Sequence, residues 1–206
     1  MNKINIGLVG PIASGKGVVA DLLKEHGFNV FSLSDKVREE ATSRGLPLIR
    51  ENLQNVGDDL REKFGNQILA ERTAFDLIGI TGHICIDSIR NPGEIMYLKK
   101  LKNEVLSDIK IIGIDAPVEK RLVWYLDRAR KRGEDSPNMD AFISSSLRDR
   151  GVGQSSNGQQ VDACLALADV SFWNAGSISE LHVEINKYLK SEFNFDPEIH
   201  RRGKEK

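Results

Sequence analysis

The chain has 206 residues, 40% of them hydrophobic and 29% charged, with a formal net charge of -1. That length supports one substantial core carrying a small inserted subdomain or lid, and the near-neutral charge argues against general affinity for nucleic acid or membranes. No apolar run reaches the length of a membrane helix and no signal-peptide pattern precedes Ile4, so a cytoplasmic monomer or homodimer is expected.

In chain order, Ile4-Asn5-Ile6-Gly7-Leu8-Val9 reads as a strand, and Gly10-Pro11-Ile12-Ala13-Ser14-Gly15-Lys16-Gly17 follows it at once. This loop has the pattern G-x-x-x-x-G-K, and Val18 to Lys24 continues with helical apolar spacing. A strand, a glycine loop and a helix in that order hold a polyphosphate by converging backbone N–H groups, with Gly10, Gly15 and Gly17 allowing close approach and Lys16 adding a mobile positive charge. A glycine-rich turn that binds nothing is the alternative. The usual loop ends in a Ser or Thr whose hydroxyl binds Mg²⁺; here Gly17 stands at that place, followed by Val18, so the metal must rely on phosphates, water and a carboxylate elsewhere.

Phe28 to Leu33 predicts a second strand, and Ser34-Asp35 caps a helix through Lys36-Val37-Arg38-Glu39-Glu40-Ala41. Asp35 and Arg38 lie one helical turn apart at the strand end, where a parallel sheet meets its ligand, so Asp35 is an N-cap, a substrate ligand or both. From Pro47 to Leu77 a helical stripe of Leu53, Val56, Leu60, Phe64 and Ile68 marks core, with Arg50, Arg61 and Arg72 expected on the polar side, one of them able to reach an acceptor phosphate.

His83-Ile84-Cys85-Ile86-Asp87 is read as a strand ending in a carboxylate, followed by Ser88-Ile89-Arg90. Asp87 then supplies the metal carboxylate that Gly17 lacks, and Arg90 clamps an acceptor phosphate; a helix N-cap and a surface arginine are the alternatives. Cys85 and Cys164 sit in apolar contexts and are expected as reduced, buried thiols. Lys110 to Ala116 predicts another strand, and Pro117 opens a helix with Leu122, Val123 and Leu126 inward. That helix runs into Arg128-Ala129-Arg130-Lys131-Arg132, and a second, from Met139, ends in Arg148-Asp149-Arg150. These basic helix ends are either a hinged lid that carries charge over a transferring phosphoryl group or a solvated face. The polar segment Val152 to Gly158 is expected to be mobile. Asp169 to Asn174 is the last strand, and the turn through Gly176 into a helix ending at Leu189 leaves room for a purine or is an ordinary capping turn. Beyond Ser191 a polar, basic tail is expected to fray.

Strands alternating with helices predict a parallel sheet with helices on both faces. At the residue level Gly15-Lys16-Gly17, Phe31 to Arg38 and Asp87 to Arg90 resemble the nucleoside monophosphate kinase group of P-loop proteins. The matches are strongest to the adenylate-kinase-like proteins of archaea, which share Gly10 to Gly17, Asp35 to Ala41, Asp87 to Arg90 and Asn174 to Leu181. Dephospho-coenzyme A kinases are similar over Ala168 to Ser177. The resemblance implies a three-layer α/β/α P-loop NTPase fold in one domain over residues 1–206, with about five parallel strands, acceptor-binding helices over 35–77, a helical lid over 127–152 and a tail over 192–206. It implies ATP on Gly10, Ala13, Ser14, Gly15, Lys16, Gly17 and Val18 with its base near Asn174 and Gly176, acceptor on Asp35, Arg38 and Arg90, Mg²⁺ on Asp87, and catalysis by Lys16, Arg128, Arg132 and Arg148. Leu33 in place of the usual threonine, and Val18 in place of a hydroxyl residue, depart from that pattern. The function expected is phosphoryl transfer from ATP to a nucleoside monophosphate, with dephospho-coenzyme A kinase and an ATP-binding switch with slow hydrolysis as rivals.

Overall fold

The computed structural model describes residues 3–101, 106 and 108–196, and of Arg132 the backbone alone. Strand β1 (Asn5–Val9) leads through the glycine loop into α1 (Lys16–Glu25), then β2 (Asn29–Ser32) and the helices α2 (Leu33–Ser43), α3 (Arg50–Phe64) and α4 (Ile68–Asp76). After β3 (Ile84–Ile89) come α5 (Pro92–Lys100), β4 (Lys110–Asp115), α6 (Val118–Arg132), α7 (Met139–Arg150), the short α8 (Val161–Ala166), β5 (Val170–Trp173) and α9 (Ile178–Phe193). The five strands form one sheet in the order β2-β3-β1-β4-β5, with every pairing parallel.

The strands are apolar almost throughout because both faces are covered. Ile84, Ile86, Ile109 and Ile111 pack under α2 to α5, whereas Ile6, Leu8, Cys85, Ile112 and Ile114 pack under α1 and α9. Successive residues alternate between the two layers, as the pleat requires. This is the three-layer α/β/α arrangement of P-loop proteins. Both cysteines are buried and free, and burial pushes each thiol up. Among the described residues no helix is long and apolar enough to cross a membrane.

Several expectations need correction. Helix α2 starts at Leu33 with Ser32 as its cap residue, so Asp35 lies within the first turn and caps nothing. The stretch 47–77 is two helices, separated at Gly65 with φ 95°; Phe64 and, on α6, Val123 face solvent. Arg61 is buried, not solvated. Strand β3 continues past Asp87 to Ile89, and its register against β1 shifts between Gly7 and Val9. The segment expected to be mobile is fastened: Asn91 Nδ2 donates to Ser156 O and Gly158 O, both at 2.9 Å, and Gln160 N to Arg90 O at 2.7 Å. Helix α9 runs to Phe193, and Phe195 returns to the core against Phe28 and His83. The rest of the expected tail, 197–206, lies outside the described residues.

Candidate functional site

The glycine loop owes its shape to what stands behind it. A Cβ at Gly10 would collide with the carbonyl oxygen of Ile114, and one at Gly15, where φ is 105°, with the Asn174 amide. Those two glycines are therefore required by β4 and by Asn174; only at Gly17 is there open space around the missing side chain. Asn174 Nδ2 donates to Ser14 O at 3.0 Å and so supports the loop from below. Gly15 is the N-cap of α1 and offers no side-chain acceptor, which leaves first-turn N–H groups free for an anion. Lys16 folds back over the loop, donating from Nζ to Gly10 O and, at 3.0 Å, to Pro11 O. Burial, then the charge of Arg90, lowers its pKa from 10.5 to about 8.

Beside the loop, β3 delivers Asp87, Ser88 and Arg90. Ser88 has φ 65°, a left-handed conformation that a serine adopts at a cost, at the point where the strand register shifts. Ser88 Oγ donates to Asp87 Oδ2 at 3.1 Å, while Asp87 Oδ1 is buried and takes no hydrogen bond. Arg90 forms an ion pair with the buried Asp149 of α7, whose Oδ2 also accepts the N–H of Ile12 at 2.7 Å. From α6, Arg121 donates to Ile12 O and to Ser146 Oγ, both at 3.2 Å. Helices α6 and α7 are thus bonded directly to the phosphate loop.

A cavity of about 240 Å³ opens in front of the loop, with Lys16, Asp87, Arg38, Arg50, Arg90 and Arg128 in its walls. The four arginines come from α2, α3, the end of β3 and α6, and each meets a carboxylate from α7 or the α6–α7 turn. Arg38 grips Glu134, Arg50 and Arg128 share Asp135, and Arg90 holds Asp149. A smaller space of about 30 Å³, bounded by Val37, Leu53, Gln54 and Gly57, shares Arg38, Arg50 and Arg90 with it.

Most of the expected residues meet here: Ala13, Ser14, Gly15, Lys16, Gly17, Arg38, Asp87, Arg90 and Arg128 all line the cavity. Others do not. Asp35 is turned to solvent with Arg38 as its partner, and Arg148 pairs with Asp58 of α3 at 2.6 Å, lining an adjoining space with Arg50, Glu134 and Asp135 and not the cavity itself. Val18, on α1 itself, packs against the core between the sheet and α9. Gly10 is packed against Ile114 and does not line the cavity, and Gly176 borders a separate open groove of about 510 Å³ beside Trp173. For Arg132 only its place at the end of α6 is described. Reading the sequence missed Glu134, Asp135 and Asp149, whose only signal was an acidic residue set among the basic helix ends.

The chemistry of the site fits a divalent cation held mainly by phosphates and water. Asp87 offers one unpartnered buried oxygen, and no group of three metal-ligating side chains exists among the described residues.

Sheet order, loop and converging arginines together define a P-loop protein of kinase-like fold. The chain belongs to the UPF0200 family, and residues 9–142 match the family model of an AAA domain. It is 31% identical to the UPF0200 protein of Pyrococcus horikoshii, with 88% of this chain and 94% of that one aligned, and 32% identical to that of Aeropyrum pernix, with 90% and 92% aligned. It also spans 54% of the length of the UPF0200/UPF0201 protein of Archaeoglobus fulgidus, at 32% identity. Among solved structures it is similar to a putative kinase from Chloroflexus aurantiacus (TM-score 0.58, 14% identity, 92% of this chain and 100% of that one covered). It is also similar to the shikimate kinase of Acinetobacter baumannii in complex with shikimate (TM-score 0.53, 17% identity, 92% and 94% covered).

Proposed function

We propose that this chain is an ATP-dependent phosphotransferase that moves the γ-phosphoryl group to a small acceptor already carrying a phosphate, a nucleoside monophosphate. The observation that carries this reading is the convergence of Arg38, Arg50 and Arg90 on the same cavity as Lys16 and Arg128. A cavity facing ATP needs Lys16 and one arginine for the transferred group; three more guanidiniums from separate elements fit a second, phosphate-bearing ligand.

In this reading the loop N–H groups and Lys16 bind the ATP phosphates, and Arg38, Arg50 and Arg90 orient the acceptor in line with the γ-phosphorus. Arg128 stabilises charge on the transferring group. Asp87 would hold Mg²⁺ through water, and the ion would supply neutralising charge to the phosphate oxygens. A phosphate oxygen is already anionic as an acceptor, so the chain needs no general base. The α6–α7 pair serves as the lid that keeps water out.

Labelled ATP with Mg²⁺, offered a panel of ribo- and deoxynucleoside monophosphates plus dephospho-coenzyme A, tests this reading directly. One strongly labelled mononucleotide product supports it. Saturable labelling of dephospho-coenzyme A alone moves the acceptor to that molecule. A different reading, an ATP-binding switch, is favoured by the pairing of all four arginines with internal carboxylates and by the missing hydroxyl at Gly17; tight ATP binding with only slow phosphate release would establish it.

A further inference from the structure

The turn between α6 and α7 places two adjacent carboxylates among the arginines, and the two are held differently. Asp135 accepts from Arg50 at 2.7 and 3.3 Å and from Arg128 at 2.9 Å, with 1% of its side chain exposed. Glu134 accepts from Arg38 alone at bonding distance, Nε at 3.0 Å and Nη2 at 3.2 Å, and its side chain is 21% exposed. The next guanidinium, Arg50, is 3.8 Å away. Only Glu134 shares the cavity wall with Lys16 and Asp87. Its backbone is fixed independently, because Arg50 N donates to Glu134 O at 2.8 Å. The turn can therefore stay in place while this one side chain leaves.

We propose that the Glu134 carboxylate is an internal stand-in for the acceptor's phosphate, occupying Arg38 until a phosphate monoester displaces it toward solvent. The inference rests on the reading of this cavity as the acceptor site. Two parallel N–H···O bonds from one guanidinium are the grip used for carboxylate and phosphate alike. Burial opposes the charge, but the bonds and charge of Arg38 hold the Glu134 carboxyl below its ordinary range, so the stand-in stays anionic at neutral pH. A carboxylate ligand would replace Glu134 like for like. A phosphate dianion brings a further charge and oxygen for Arg50, so the exchange favours phosphate.

The test is a titration of the full chain with inorganic phosphate at constant ionic strength, read at the Arg38 Nε–Hε NMR resonance, the donor that Glu134 occupies, with Arg38→Ala separating this site from the phosphate loop. In the native protein phosphate shifts that resonance saturably, and acetate at equal concentration shifts it much less. In Glu134→Gln, phosphate binds about tenfold or more tightly, since a competing charge has gone; in Glu134→Gln with Arg38→Ala, followed by calorimetry, that gain disappears. A native resonance unmoved by saturating phosphate would overturn the proposal, as would unchanged affinity in Glu134→Gln, a gain that survives loss of Arg38, or acetate matching phosphate. The outcome is separable from the kinase reading. Phosphate displacement without transfer to any nucleotide would leave the stand-in and remove the kinase, and transfer with unaltered phosphate affinity would do the reverse.

Discussion

Arg61 Nη2 lies 2.9 Å from Glu94 Oε1, and the two side chains are 2% and 0% exposed. The other oxygen of Glu94 accepts the backbone N–H of Arg90 at 2.8 Å and of Asn91 at 3.0 Å. One carboxylate therefore joins α3, the end of β3 and the start of α5. It places the backbone of Arg90 and with it the guanidinium that faces the cavity.

Breaking a buried pair by removing one charge costs about 3–5 kcal/mol where the other is left uncompensated; Arg61 keeps a second, longer contact, Nη1 to Asp58 Oδ1 at 3.4 Å. Glu94→Gln keeps the shape and removes the charge, so urea denaturation should show a loss toward the lower end of that range. A loss under about 1 kcal/mol, the worth of a surface pair, would show that Asp58 takes over the charge of Arg61.

Lys16 gives the free protein a particular pH dependence. Its folded pKa of about 8 lies below the ordinary 10.5, so between these values the unfolded chain holds a proton that the folded chain has released. Stability then rises with pH across that window; below it, where both states are protonated, Lys16 adds no pH dependence and the cost of burying its charge is fully present. Denaturation across the window should show that rise in the native protein and a smaller one in Lys16→Met. Polyphosphate binding restores the charge on Lys16, so calorimetry at about pH 9 in buffers of different ionisation enthalpy should record proton uptake; proton release would contradict a neutralised Lys16.

Arg128 and Arg148 should separate kinetically. Arg128 lines the cavity, whereas Arg148 is bound to Asp58 of α3 and does not. Losing one preorganised donor to a developing charge costs about 10² to 10³ in kcat, and Arg128→Ala should show this with its fold retained. Arg148→Ala should change kcat by less than about threefold and stability by up to about 1 kcal/mol, since its ion pair is partly solvated. Equal effects on turnover would mean that α7 repositions Arg148 during the reaction.

Much of the scaffold was legible because it is written in local patterns. The phosphate loop, the strand cores and the α6 and α7 spans follow from residues within a few positions of one another. Helix α5 was legible too: Asn91-Pro92-Gly93-Glu94 is a capping box with proline at N1, a signal present but unread. The long-range partners of the arginines were not legible. Arg38, Arg61 and Arg90 find their carboxylates 96, 33 and 59 residues away, and periodicity carries no information about partners so distant. The bulge at Ser88 was hidden for another reason, because a serine with φ 65° looks like any strand residue and only the register against β1 reveals it.

The glycines of the phosphate loop make the sharpest local test, because the motif treats as alike what the fold distinguishes. At Gly10 a methyl group would meet the Ile114 carbonyl, a backbone atom that cannot step aside, at φ 151°. Gly10→Ala should lose at least about 3 kcal/mol, the sum of overpacking and backbone strain, in a thermal or urea melt. Gly17 has open space around it and sits in the first turn of α1, where serine is the better helix former by a few tenths of a kcal/mol. Gly17→Ser should therefore fold at least as well as the native chain, and its hydroxyl stands where P-loop proteins bind Mg²⁺. The Mg²⁺ concentration giving half-maximal turnover should fall in that variant. A stable Gly17→Ser protein with an unchanged Mg²⁺ requirement would show that Asp87, water and the phosphates already complete the coordination of the ion, and that the missing hydroxyl costs this chain nothing.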